Sequence, residues 1–157
     1  AEQAVHLSEE KKLVVVPTKT IPQGISAMLM FDETASADEN QMNMLSAAEN
    51  VETAQVTFAA RDSEVDGKPI KQGEIMGLCN GKIKYIGDDI TDIAVKSAHK
   101  LFKKGEHSLI TIIYGEGASE DDAEAVEKAL YEKYGNDVEI SIVNGGQPIY
   151  YFIISVE

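Results

Sequence analysis

The hydrophobic pattern changes character along this chain. Leu13 to Val16 is a continuous apolar, mostly β-branched run, the pattern of a strand buried on both faces of a parallel sheet. It leads through Pro17-Thr18-Lys19-Thr20 into a helix predicted from about Ile21 to Phe31. Thr20 can cap that helix, Gln23 three residues later completes a capping-box pattern, and Pro22 is tolerated in the first turn. An acidic, small-residue linker at Asp32 to Asp38 precedes a second helix expected near Glu39 to Glu49. Ala1 to Leu7 is also good helix material, with no capping residue in front of it, as though an element had been cut through. These pieces read as the end of a doubly wound α/β lobe.

From Thr53 onward the signals are those of a sheet. Gln55 to Ala60 reads as a strand and Asp66-Gly67 as a turn; Glu74 to Cys79 and Lys82 to Ile86 flank Asn80-Gly81, a two-residue hairpin signal. A helix follows from Ile90 to Lys104, with Ile90, Ile93, Ala94, Leu101 and Phe102 on one face and Gly105 as its stop. Leu109 to Tyr114 is again an apolar strand. Ser119 caps a last helix, which carries Glu120, Asp121 and Asp122 in its first turn, where the helix dipole favours them, and which ends at Gly135. Val138 to Val143 and Ile149 to Ile154 read as two strands around a Gly145-Gly146 turn. The expected fold class is α/β: a partial doubly wound lobe over residues 1–52, then a mixed-sheet α+β lobe over 53–157 with a hairpin and two helices.

Composition narrows the partners. At 157 residues and 43% hydrophobic the chain can bury one sizeable core or one and a half lobes. Lys plus Arg is 14 against 27 Asp plus Glu, a net charge of -13, which repels nucleic-acid backbones and anionic headgroups. Lys100, Lys103 and Lys104 crowd a predicted helix end, where cations complement the dipole. A single cysteine, Cys79, excludes an internal disulfide and fits a reducing compartment. His6, His99 and His107 show no metal-ligand spacing. With no apolar leader and no run of about 18 apolar residues, a soluble cytoplasmic protein is expected.

Few stretches suggest chemistry. Gly115-Glu116-Gly117-Ala118-Ser119-Glu120 sits where a dinucleotide fingerprint would, but the third glycine is missing, and Glu116, Glu120, Asp121 and Asp122 stand where a pyrophosphate would approach. A capped turn is the expectation there, and no P-loop occurs elsewhere. The elbow Thr18-Lys19-Thr20 joins a strand to a helix N-terminus, with Lys19 offering charge, Thr18 a hydroxyl and the first turn its amides. The competing reading is that Thr20 and Gln23 simply satisfy those amides. Arg61, the chain's only arginine, can grip a carboxylate or phosphate bidentately, or else form a salt bridge with Asp62 or another of the many carboxylates. Gly145, Gly146, Gln147, Ile149, Tyr150 and Tyr151 combine backbone freedom with aromatic area, either as a partner-contact edge or as a glycine turn whose tyrosines complete the core. Strand alternation lets only one of the two tyrosines face outward. No nucleophile, base and orienting acid stand in recognisable spacing.

The words Leu-Val-Val-Val-Pro-Thr-Lys-Thr-Ile-Pro-Gln-Gly-Ile-Ser-Ala, Gly-Gly-Gln-Pro-Ile-Tyr and Ile-Ile-Ser-Val-Glu together resemble the C-terminal domain of the A-type subunit of fatty acid kinase, over nearly all of the chain. Members of that family are bacterial fusions that begin with a dihydroxyacetone-kinase-like ATP domain. The part from Thr53 onward is also similar to the second lobe of DegV-type fatty-acid-binding proteins, in which the acyl chain lies between two lobes. The resemblance implies a noncatalytic domain that recognises or positions a fatty-acid-binding carrier protein, while a separate N-terminal domain performs ATP-dependent phosphorylation. ATP and Mg would belong to that other domain, with no cofactor in this chain, no nucleic acid and no membrane insertion; self-association would run through the full-length kinase protein. The alternative is a receptor lobe that itself holds an acyl chain or an anionic metabolite.

Overall fold

The chain divides after Val51 into two compact units, Ala1–Val51 and Glu52–Glu157, in a computed structural model that describes residues 1–7, 11–65 and 67–157. In the first unit the described elements are helices α1 (Glu2–Leu7), α2 (Ile21–Leu29) and α3 (Ala37–Glu49). Thr20 caps α2, its Oγ1 accepting the Gln23 N–H at 3.4 Å, while Gln23 Oε1 reaches one residue further back to the Lys19 N–H at 2.9 Å. A full capping box opens α3: Ser36 Oγ accepts the Glu39 N–H at 3.3 Å and the Glu39 carboxylate accepts the Ser36 N–H at 2.9 Å. Buried Asn40 ties down the connecting loop, giving to the Asp32 carbonyl and accepting the Asp32 N–H, both at 2.8 Å.

The expected strand at Leu13 to Val16 does not form. An apolar, β-branched run favours an extended backbone, but a strand also needs a hydrogen-bonded neighbour. Among the described residues no strand pairs with this run. Its Val15 carbonyl instead accepts from the Gln41 side chain at 3.3 Å.

The second unit holds β1 (Glu52–Phe58), β2 (Ser63–Val65), β3 (Lys68–Ile70), β4 (Ile75–Cys79), β5 (Lys82–Gly87), α4 (Ile90–Leu101), β6 (Leu109–Tyr114), α5 (Glu120–Tyr134), β7 (Glu139–Asn144) and β8 (Tyr150–Val156). Six strands form one sheet in the order β5-β4-β1-β8-β6-β7, and β2 pairs with β3 separately. Of the expected Asp66-Gly67 turn between these two, Asp66 lies outside the described residues. Asn80 and Gly81 both adopt positive φ, 49° and 76°, as the turn between β4 and β5 requires. Asn80 also clips the hairpin to β1, donating its N–H to the Thr53 carbonyl at 2.9 Å and accepting the Thr53 N–H on its side chain at 3.0 Å.

The last two strands are not neighbours around a glycine turn. β7 lies parallel to β6, and β8 lies antiparallel on the other side of β6. Parallel strands need a long crossover, which α5 supplies between β6 and β7. The Gly145-Gly146 segment therefore carries the chain past the end of β6 to its far edge. α4 stops at Leu101 rather than Lys104, because Phe102 turns extended (ψ 128°) and buries its ring 4.2 Å from that of Tyr134. Lys103 and Lys104 lie beyond the helix and pair with Glu106 and Asp137.

One hydrophobic cluster joins sheet and helices, with Val56, Ile110, Ile112, Phe152 and Ile154 from the strands and Ala94, Ala98, Val126 and Leu130 from α4 and α5. Each large side chain buried this completely contributes about 1.5–3 kcal/mol.

Candidate docking loop

Residues 145–149 run between β7 and β8 and are stitched to the turn that follows β6. Gly145 donates its N–H to the Tyr114 carbonyl at 2.9 Å, Glu116 to Gln147 at 3.1 Å and Gly115 to Tyr151 at 3.0 Å. Gln147 turns its side chain inward, where Nε2 donates to the Ile113 carbonyl at 3.1 Å and the Tyr150 carbonyl at 3.4 Å. Gly115 admits this crossing, since a Cβ there would strike the backbone carbonyl oxygens of Gln147 and Tyr150. The loop is thus a fixed shape.

At its end Ile149 sits at φ 73° and is 64% exposed. A β-branched residue in the left-handed region clashes with its own backbone, at about 1–3 kcal/mol. The conformation is tethered: the hydroxyl of buried Thr57 donates to the Ile149 carbonyl at 2.8 Å, and the β1–β8 register shifts between Val56 and Thr57 at the same place. Beside this tether Phe58, 38% exposed, meets the Tyr151 ring edge-on with centroids 6.1 Å apart. Tyr151 packs against the core cluster; Tyr150, half-buried, opens β8 opposite Thr57. The surface so built is an apolar knob on a rigid base, the chemistry of a contact anchor.

Thr57 and Phe58 were not singled out in the sequence. They lie in an ordinary strand pattern, and the Thr57 contact spans 92 residues. Strand alternation identifies which face a residue takes, but not which distant loop it will meet.

The remaining candidates stand elsewhere. Thr18, Lys19 and Thr20 belong to the first unit. At that elbow Pro22 offers no N–H, the Gln23 N–H goes to Thr20 Oγ1, and the Gly24 N–H goes to the Thr20 carbonyl at 3.1 Å, so Lys19 is the exposed charge. Arg61 is exposed beyond the end of β1, and makes no ion pair among the described residues; neighbouring Asp62 accepts the Gln72 N–H at 2.7 Å.

The turn after β6 is a capped helix start. The Ser119 hydroxyl accepts the Asp122 N–H at 3.2 Å and donates to the Asp122 carboxylate at 2.6 Å, which with the Ser119 N–H holds that carboxyl below its usual range. His99 Nδ1 lies 2.9 Å from the Tyr134 hydroxyl, and burial, with Lys133 adding to it, lowers its pKa. Cys79 is buried, which pushes its thiol up. No helix among the described residues is long and apolar enough to cross a membrane.

This arrangement has relatives. YloV of Bacillus subtilis is 41% identical over 157 residues, covering 100% of this chain and 28% of that protein. A Staphylococcus haemolyticus protein is 40% identical over the same span, again 28% of its length. The chain thus spans 28% of the length of these curated relatives.

Among solved structures, a fatty acid binding DegV family protein of Streptococcus agalactiae aligns with TM-score 0.63 at 16% identity, covering 99% of this chain and 63% of that one. A DegV family protein of Corynebacterium glutamicum gives TM-score 0.65 at 15% identity, with 99% and 67% covered. The dihydroxyacetone kinase of C. freundii gives 0.56 at 12% identity, with 99% and 35% covered. These likenesses show the fold, a mixed α/β architecture of DegV type. The family model for the C-terminal domain of FakA-like proteins, the A-type subunits of fatty acid kinase, matches residues 1–157, and the chain belongs to that family.

Proposed function

We propose that this chain is a noncatalytic, cytoplasmic docking domain that positions a fatty-acid-binding carrier protein for phosphorylation of the carried acid by a separate ATP-dependent domain. Family membership supports the fatty acid kinase context. The observation that carries docking is Ile149, a strained and exposed aliphatic residue held in place by a buried hydroxyl. Strain of this kind persists only where the surroundings enforce it, and it concentrates at functional positions. A preformed knob also loses little conformational freedom on binding. The chain's charge of -13 suits a carrier with a basic face, which would speed encounter.

Calorimetric titration with a DegV-type fatty-acid-binding protein from the same organism tests this. Saturable binding is expected, weakened about tenfold (~1.4 kcal/mol) in Ile149→Gly, a variant that keeps the loop's φ without strain. Absence of binding, or equal affinity in the variant, would refute the docking role of the loop.

A further inference from the structure

The chain contains two Asn-Gly dipeptides, Asn80-Gly81 and Asn144-Gly145. In such a pair the glycine nitrogen can close on the preceding carboxamide, since no Cβ obstructs the approach. The fold gives the two pairs opposite surroundings. At the turn between β4 and β5 the Asn80 carboxamide is held at both of its ends: Oδ1 accepts the Thr53 N–H at 3.0 Å and Nδ2 donates to the Glu52 carboxylate. The Asn80 N–H, donated to the Thr53 carbonyl at 2.9 Å, makes a third bond to β1.

Asn144 is exposed at the end of β7, the edge strand of the sheet, and its side chain makes no hydrogen bond among the described residues. Its Oδ1 lies 4.0 Å from the place that a Cβ on Gly146 would occupy, so the carboxamide leans along the chain toward the two glycines. One bond restrains the nucleophile, the Gly145 N–H given to the Tyr114 carbonyl at 2.9 Å. Strand ends at a sheet edge are among the first places to open.

We propose that Asn144-Gly145 is a site of spontaneous deamidation, and that the contacts from β1 guard Asn80-Gly81 against the same reaction. The Gly145 nitrogen gives up its proton and attacks Asn144 Cγ. The Cγ–Nδ2 bond breaks, Nδ2 leaves as ammonia, and a cyclic imide remains. Water then opens either imide carbonyl, giving aspartate or isoaspartate at 144, so that one water enters for each ammonia lost. At Asn80 the same closure must first strip Nδ2 from Glu52. Either product adds a negative charge where β7 enters the loop, and isoaspartate also adds a methylene to the main chain there. The fixed shape of residues 145–149 thus has a chemical lifetime. Water is the only other reactant, so the reaction needs no partner surface and does not depend on what the loop docks.

Peptide mapping by mass spectrometry of the folded chain, incubated in mildly alkaline buffer beside the urea-unfolded chain, tests the proposal. Unfolded, the two dipeptides should convert at similar rates. Folded, conversion at 144 should outrun that at 80 about tenfold or more, because two further hydrogen bonds must open at the guarded pair. Glu52→Ala removes the acceptor of Asn80 Nδ2 and should speed conversion at 80 about threefold to tenfold, with 144 unchanged. Glu52→Gln, which keeps the size of the side chain and removes its charge, should act in the same direction if the alanine variant folds poorly. Equal rates in the folded chain, or faster conversion at 80, overturn the proposal. So does a folded chain still unreacted at 144 once the unfolded chain has converted fully. A rate at 80 indifferent to both Glu52 variants overturns the guard.

Discussion

Replacing Thr57 by Val removes one hydroxyl and almost no volume, and it isolates the tether on Ile149. Thr57 is 8% exposed and its Oγ1 donates to the Ile149 carbonyl at 2.8 Å. Losing a net hydrogen bond at such a site costs about 1 kcal/mol, more where the abandoned carbonyl is shielded from water, to ~1–3 kcal/mol. The tether also holds Ile149 at φ 73°, which the chain would leave if released. Relief of that strain offsets part of the lost hydrogen bond, so a loss of only about 0.5–1 kcal/mol is expected in wild-type background, a fall in Tm of roughly 1–4 °C for a chain of this size. With glycine at 149 the same φ carries no strain. Thr57→Val should then cost the full hydrogen bond, about 1–2 kcal/mol.

Urea unfolding of the four members of this cycle measures the coupling directly, with equal m-values as the check that only stability changed. The cost should be larger with glycine at 149 than with isoleucine, by about 0.5–1 kcal/mol. Equal costs in both backgrounds would mean that the hydroxyl makes a hydrogen bond but holds no strain. A cost below about 0.3 kcal/mol with glycine at 149 would remove the tether from the account.

Further outcomes follow from the same geometry. Gly115→Ala drives a methyl into the carbonyl oxygens of Gln147 and Tyr150; a loss of about 1–3 kcal/mol by denaturant melts, with altered amide shifts along 145–149, is expected. Ser119→Ala should cost about 1 kcal/mol at neutral pH. The Asp122 carboxyl is held below its ordinary 3.8, first by the Ser119 hydroxyl and then by its N–H. That stabilisation is complete above this ordinary value and is lost as pH falls through the depressed one, so the gap between wild type and variant in acid titrations of stability should narrow there to the part owed to the backbone cap, which does not titrate. Thr20→Ala should cost about 0.5–1 kcal/mol through its long 3.4 Å cap, whereas Lys19→Ala should leave the melting temperature nearly unchanged.

Local chemistry was legible in the residues; long-range pairing was not. Asn80-Gly81 names its own turn, because both positions need positive φ and these residue types tolerate it. Ser119 with Asp122 names the start of α5, since a cap is made within three residues. Leu109 to Tyr114 stands out by its apolar run alone. The order of β7, β6 and β8 depends on which strand meets which, and a Gly145-Gly146 sequence serves a hairpin and a crossing equally well. Leu13 to Val16 shows the complementary gap: an extended propensity does not itself supply a ladder partner. Ile149 stands among the sequence candidates, but its tether escapes for the same reason, as it is a contact with Thr57 that no local pattern announces.

Hydrogen exchange of the chain with and without a saturating DegV-type carrier tests the central claim most directly. Docking at the knob predicts slowed exchange over residues 145–151 and the end of β1 at Thr57 and Phe58, and weaker protection there in Ile149→Gly at the same carrier concentration. Protection confined to the elbow at Thr18 to Thr20, or absent while the carrier is demonstrably bound, would contradict the assignment.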